Sequence, residues 1–134
     1  MKRRLTLSTF QIGAPPKRGE GLRIGATRRP PRGVPKARWQ RDGYFDVWCP
    51  VIAPSASLLH RCRRLDLDDL SMRRRFFQAY ERELEQTPAR QTIQLLAALA
   101  QRTAISVGCY CSDESRCHRS RLFEVLQRAA AKKR

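Results

Sequence analysis

Between Cys109 and Arg119 the chain reads CYCSDESRCHR: three cysteines, one histidine and two arginines in eleven residues. A thiolate is a nucleophile and a soft metal ligand. An imidazole moves protons near neutral pH. A guanidinium holds phosphate through forked hydrogen bonds. The stretch therefore admits three kinds of chemistry: thiol catalysis, metal ligation, and binding of an anion beside buried cysteines that are merely core.

The elements on either side must place these groups. AISVGCYC, residues 104–111, is nearly continuous in apolar and β-branched residues. It reads as a strand ending at Cys111 and buried on both faces, as in a parallel sheet. After the turn, Leu122, Val125, Leu126 and Ala129 outline an amphipathic helix that ends in a basic run. The cysteines thus lie at a strand's carboxyl end and at the start of a helix, where open α/β sheets bind ligands. Free N–H groups there favour anions, and the same partial charge lowers the pKa of an adjacent thiol.

Cys111 and Arg116 bracket C-S-D-E-S-R. That spacing is similar to the rhodanese loop and one residue short of the phosphatase loop. The stretch departs from both in carrying Asp113 and Glu114 and no glycine. Cys111, Cys117 and His118 are the candidate catalytic groups, with His118 expected to titrate near neutral pH. Cys109, Cys111, Cys117 and His118 are enough donors for zinc, but they do not form the paired knuckles of structural sites. Adjacent Cys117 and His118 would also point about 100° apart on a helix. No metal or other cofactor is assigned. In the structural reading Cys49, Cys62 and Cys109 are small buried hydrophobes.

Upstream, Leu5, Leu7, Phe10 and Ile12 outline a first strand, and LRIGAT (22–27) a second. A Pro/Gly-rich basic loop follows at about 28–43, and YFDVWCPVIAPS is an extended or edge segment. Ser71 is a candidate cap for a helix presenting Met72, Phe76, Phe77, Tyr80 and Leu84. Thr87-Pro88 starts another presenting Ile93, Leu96, Ala97 and Ala100. The order predicts an α/β fold: one domain, residues 1–134, with a central mostly parallel sheet flanked by helices.

The 134 residues carry a formal net charge of +16. Residues 1–43 hold twelve Lys/Arg against Glu20 and Asp42, whereas residues 44–98 hold eight against seven acids. The asymmetry predicts a polyanion partner, a nucleic acid or nucleotide phosphate. Arg28, Arg29, Arg38 and Arg41 are the candidate nucleic-acid contacts. Trp39, Tyr44 and Phe45 lie among them, and Tyr44 and Phe45 are expected in the core. No run reaches the roughly 20 apolar residues of a membrane helix. Five cysteines with no secretory signal point to a reducing, cytoplasmic setting. The sequence does not set the oligomeric state.

Several segments together resemble DUF488, a family of uncharacterised domains: RPPRGVPK, with Pro30 where tryptophan is usual, APSASLL, RRRFFQAYEREL and CHRSRLFEVL. The resemblance spans most of residues 20–127. It implies an α/β fold with a parallel sheet and a candidate pocket built from Arg32, Ser55, Cys117, His118 and Arg119. With Arg116 from the cysteine turn, the expected anion-binding set is Arg32, Ser55, Arg116 and Arg119.

Overall fold

The computed structural model describes residues 6–111 and 113–131. Leu5 of the first strand, Ser112 of the cysteine turn and the basic end at 132–134 lie outside them. Four parallel strands form one sheet: β1 (Leu7–Gln11), β2 (Leu22–Gly25), β3 (Val47–Trp48) and β4 (Ile105–Cys109), in the order β1-β4-β2-β3. Four helices accompany them: α1 (Ala56–Cys62), α2 (Leu70–Leu84), α3 (Thr87–Ala100) and α4 (His118–Ala131). This is the expected α/β architecture. β4 pairs Cys109 with Gln11 of β1 and Gly108 with Gly25 of β2, so three strands end side by side.

All five residues of β4 are buried, but its two faces are covered differently. Ile105 and Val107 share a core with Ile24, Leu58 of α1, Phe76 and Tyr80 of α2, Ile93 and Leu96 of α3, and Leu122 and Leu126 of α4. On the other face Phe10, Ile12 and Phe45 form a second cluster, against which Trp39, Tyr44 and Trp48 pack. Here two strand glycines make room for rings. A Cβ on Gly25 would stand 2.4 Å from the Phe45 ring, and one on Gly108 2.5 Å from the Phe10 ring.

This second face also buries charge. Arg23, 4% exposed, pairs its Nε with Glu20 and donates to the carbonyls of Gly43 (3.1 Å) and Ala14 (2.8 Å). Its guanidinium lies 4.2 Å above the Phe10 ring. A cation from the basic amino-terminal segment is thereby part of the core. Phe45 is buried as expected, and Tyr44 is half-buried.

Several boundaries differ from the sequence reading. The last strand ends at Cys109, because Tyr110 and Cys111 turn outward into exposure. Asp69 caps α2 in place of Ser71, its carboxylate accepting from the Met72 N–H at 3.1 Å. α3 includes Thr87, with Gln86 in the cap position. α1 was not expected at all. Ser55 starts it, its hydroxyl accepting from the Leu58 N–H at 3.1 Å.

Candidate functional site

The carboxyl ends of β2 and β4 open into a cleft of about 450 Å³. β2 contributes the Thr27–Arg29 run that follows it, α1 contributes Leu59 and His60 with Arg63 just past its end, and β4 with its turn contributes Cys109, Tyr110 and Cys111. His118 reaches it from α4. Three arginines line the cleft, and among the described residues no carboxylate does.

Cys109 and His118, which line the cleft, belong to a buried cluster with Cys117 and Arg119. The sulfurs of Cys109 and Cys117 stand as close as in a disulfide, although their Cα atoms are 7.8 Å apart. A relaxed disulfide spans roughly 4.4–6.8 Å between Cα atoms, so we read the pair as two facing thiols. Cys117 Sγ lies 3.7 Å from His118 Nδ1. The helical argument that separated these neighbours fails because α4 begins at His118. Cys117 occupies the turn before it and is free of the 100° step.

His118 Nε2 lies 2.7 Å from the Ala26 carbonyl, an acceptor only, so that nitrogen carries the proton and Nδ1 offers its lone pair toward Cys117 Sγ. The ring also meets Tyr80 edge-on at 5.4 Å. Burial pushes the imidazole down to about 4, outweighing the Ala26 carbonyl, which favours the cation, while the neighbouring Arg119 adds to the depression. Titration near neutral pH, expected from sequence, therefore does not hold: the ring is neutral at pH 7. Arg119 donates from Nη1 to Cys109 Sγ at 3.3 Å and to the Cys111 carbonyl. Its buried Nε has no partner among the described residues. The opposite side of the turn is tied to β1, where Thr9 donates to Glu114 at 2.6 Å and Gln11 to the Tyr110 carbonyl at 3.2 Å.

The predicted site residues separate. Cys111, exposed, sits at the cleft mouth, whereas Cys117 is buried against Cys109. Burial pushes the Cys49 and Cys62 thiols up, with Cys111 adding a smaller rise at Cys62. Arg116 lies outside the cleft lining, paired with Asp68 and, at 3.2 Å, with Asp113. Ser55 is not in the lining either. It donates to Glu83 of α2, which also accepts its backbone N–H at 2.8 Å. Arg32 is exposed on the basic loop and likewise outside the lining.

Of the proposed nucleic-acid arginines, Arg28 is bound inward. Its Nε and Nη2 donate to the carbonyls of Pro54 (3.0 Å), Pro50 (2.9 Å) and Ala53 (3.0 Å) while it lines the cleft. Arg29 is exposed in the lining. Arg38 and Arg41 both reach Asp42, at 3.0 and 3.6 Å. Sequence reasoning missed His60 and Arg63 because it missed α1. The available signal was a capping serine, Ser55, before the helix-compatible run ASLLHRC.

A family model described as the active DUF488-N3 subclade, DUF488-N3a, matches residues 7–130. No curated protein and no solved structure matches the chain.

Proposed function

The chain belongs to the DUF488-N3a family, and from that premise we propose that its cleft binds a phosphate-bearing ligand of nucleotide or nucleic-acid type. The observation that carries this reading is the lining: Arg28, Arg29, Arg63 and His60 around one opening, with no carboxylate among the described lining residues. A dianion entering there meets several cationic donors and no opposing charge. Tyr110, 48% exposed on the rim, with Pro54 and Leu59 nearby, offers the apolar surface on which a base stacks. Exposed Arg32, Arg38 and Arg41 extend positive charge beyond the cleft.

The test is ligand-induced stabilisation. Inorganic phosphate and a nucleoside monophosphate should both raise Tm, the nucleotide more, with about 2.7 kcal/mol of stabilisation at a hundredfold excess over Kd. Arg29→Ala plus Arg63→Ala should abolish both shifts. A double variant that responds as the parent does removes the cleft as the binding site.

One observation favours a second reading, thiol catalysis on the bound ligand: Cys111 stands exposed at the mouth of that cleft. Of the three candidate catalytic groups, Cys117 is buried and His118 is held neutral. The thiol chemistry thus falls to Cys111. Iodoacetamide at pH 6.5 should label Cys111 first and phosphate should protect it. Labelling of Cys49 or Cys62 at equal rate would end this reading.

A further inference from the structure

The buried cluster beside the cleft has a donor set and an arrangement of its own. Cys109 Sγ, Cys117 Sγ and a His118 ring nitrogen lie within 4.8 Å of one another, all on buried residues. Two thiols and an imidazole are a soft-to-borderline set, which favours zinc-like ions over magnesium or calcium.

Three features separate this set from cysteines that merely fill a core. The first is the imidazole. Its Nε2–H is held by the Ala26 carbonyl at 2.7 Å, which turns the Nδ1 lone pair toward Cys117 Sγ, 3.7 Å away. A histidine that ligates through one nitrogen and donates from the other to a backbone carbonyl has the outer-shell arrangement of metal-binding histidines. The second is the backbone spacing of the cysteines. Two thiolates about 2.3 Å from one tetrahedral ion stand about 3.8 Å apart, farther than sulfurs sharing a bond. In this structure the sulfurs lie closer than that and an ion would part them; the 7.8 Å between the Cα atoms of Cys109 and Cys117 exceeds the disulfide range and leaves room for the wider pair. The third is Arg119, whose Nη1 donates to Cys109 Sγ at 3.3 Å, a charged hydrogen bond of the kind that supports a ligating sulfur.

We infer that Cys109, Cys117 and His118 form a binding site for a zinc-type divalent cation beside the cleft. The three protein donors leave the fourth tetrahedral position to water or to whatever occupies the cleft, because Cys109 and His118 both line it. Sites with three protein ligands and one exchangeable position are the catalytic kind. Binding releases the protons of the two thiols and leaves His118 neutral. The site stands whether or not the cleft takes a phosphate, since none of its donors is an arginine.

The test uses the full chain, purified under reductant without chelator. Elemental analysis should find close to one zinc per chain. Replacement by Co²⁺ should give the charge-transfer absorption of two thiolate ligands, which stoichiometric Zn²⁺ abolishes. Cys117→Ser should about halve that band, and Cys62→Ser should leave it unchanged. Reduced, folded parent protein that takes up neither ion overturns the inference and leaves Cys109 and Cys117 as buried core cysteines. Full intensity in Cys117→Ser, or equal loss in Cys62→Ser, overturns the ligand assignment. If Cys117→Ser does not fold, the parent's band and its displacement by zinc decide alone. Phosphate-induced stabilisation measured in excess chelator reports the cleft separately, so either idea can fail without the other.

Discussion

The two faces of the sheet bury the same central strand by different chemistry. On the helix face, Ile105 and Val107 meet aliphatic and aromatic side chains from all four helices. On the loop face, Ser106 and Gly108 lie under Phe10, Phe45 and a buried Arg23–Glu20 pair, roofed by a connection rich in proline and arginine. The helix face depends on apolar area and fit. The loop face depends on close approach and on complete pairing of charge. The first kind of burial tolerates changes that conserve volume, while the second fails when one partner is removed.

The largest effect expected from that contrast is Arg23→Met. It leaves Glu20 buried without its guanidinium partner and takes donors from the carbonyls of Gly43 and Ala14. Loss of one partner of a buried pair costs about 3–5 kcal/mol. Urea unfolding measures it, and a loss under about 1 kcal/mol, the value of an exposed pair, would dissolve the distinction between the faces.

Leu122→Ala tests the helix face. Leu122 is fully buried among the helices, and truncations of this kind cost about 2–5 kcal/mol according to how far the cavity collapses. Leu122→Met should cost under about 1.5 kcal/mol because volume is conserved. Equal damage from both variants would mean that this face, too, depends on exact fit.

Gly25→Ala returns to the loop face with one added methyl. The new Cβ falls 2.4 Å from the Phe45 ring, so ring or strand must move, at about 1–3 kcal/mol. Near-UV circular dichroism should change with it, since Phe45 stacks edge-on to Trp39 at 5.0 Å. An unchanged spectrum and stability would show that the roof is loosely held.

The smallest effect on stability belongs to the outer surface of that loop. Arg38→Ala plus Arg41→Ala removes two exposed cations that share Asp42, and should change unfolding free energy by under about 1 kcal/mol. Its effect should fall instead on duplex DNA binding. The slope of log K against log salt, about −0.9 per phosphate contacted, should flatten by up to two contacts. An unaltered slope would make these arginines a solvated surface.

Much of the helix face was legible before any coordinates. Of the face expected on α2, Phe76, Phe77, Tyr80 and Leu84 are buried together and Met72 is only half-buried; Ile93, Leu96, Ala97 and Ala100 of α3 are all buried. The continuous apolar run at 104–111 announced a central strand of a parallel sheet, which ends two residues earlier, at Cys109. In each case one local period encodes one face, so neighbours in sequence carry the whole signal. α1 escaped because seven residues span barely two turns, and Ser55 resembled a ligand group more than a cap. The roles of the arginines also escaped. Arg23, Arg28 and Arg38 look alike in sequence, yet the first is core, the second is bound to three carbonyls and the third is exposed.

By itself the sequence determined the fold class, the family, the placing of the cysteine turn at a strand end, and the excess of positive charge. Tertiary structure decided which of those groups meet. Cys109 and Cys117, eight residues apart, face each other because a strand ends and a helix begins at one edge of the sheet. Ala26, ninety-two residues from His118, fixes which ring nitrogen is free because β2 ends beside β4. Arg63 and Arg29 share a cleft, and Arg116 does not, for the same reason. Periodicity is a property of consecutive residues, whereas a site is made by ends of elements brought together from distant parts of the chain, and no local pattern records that meeting.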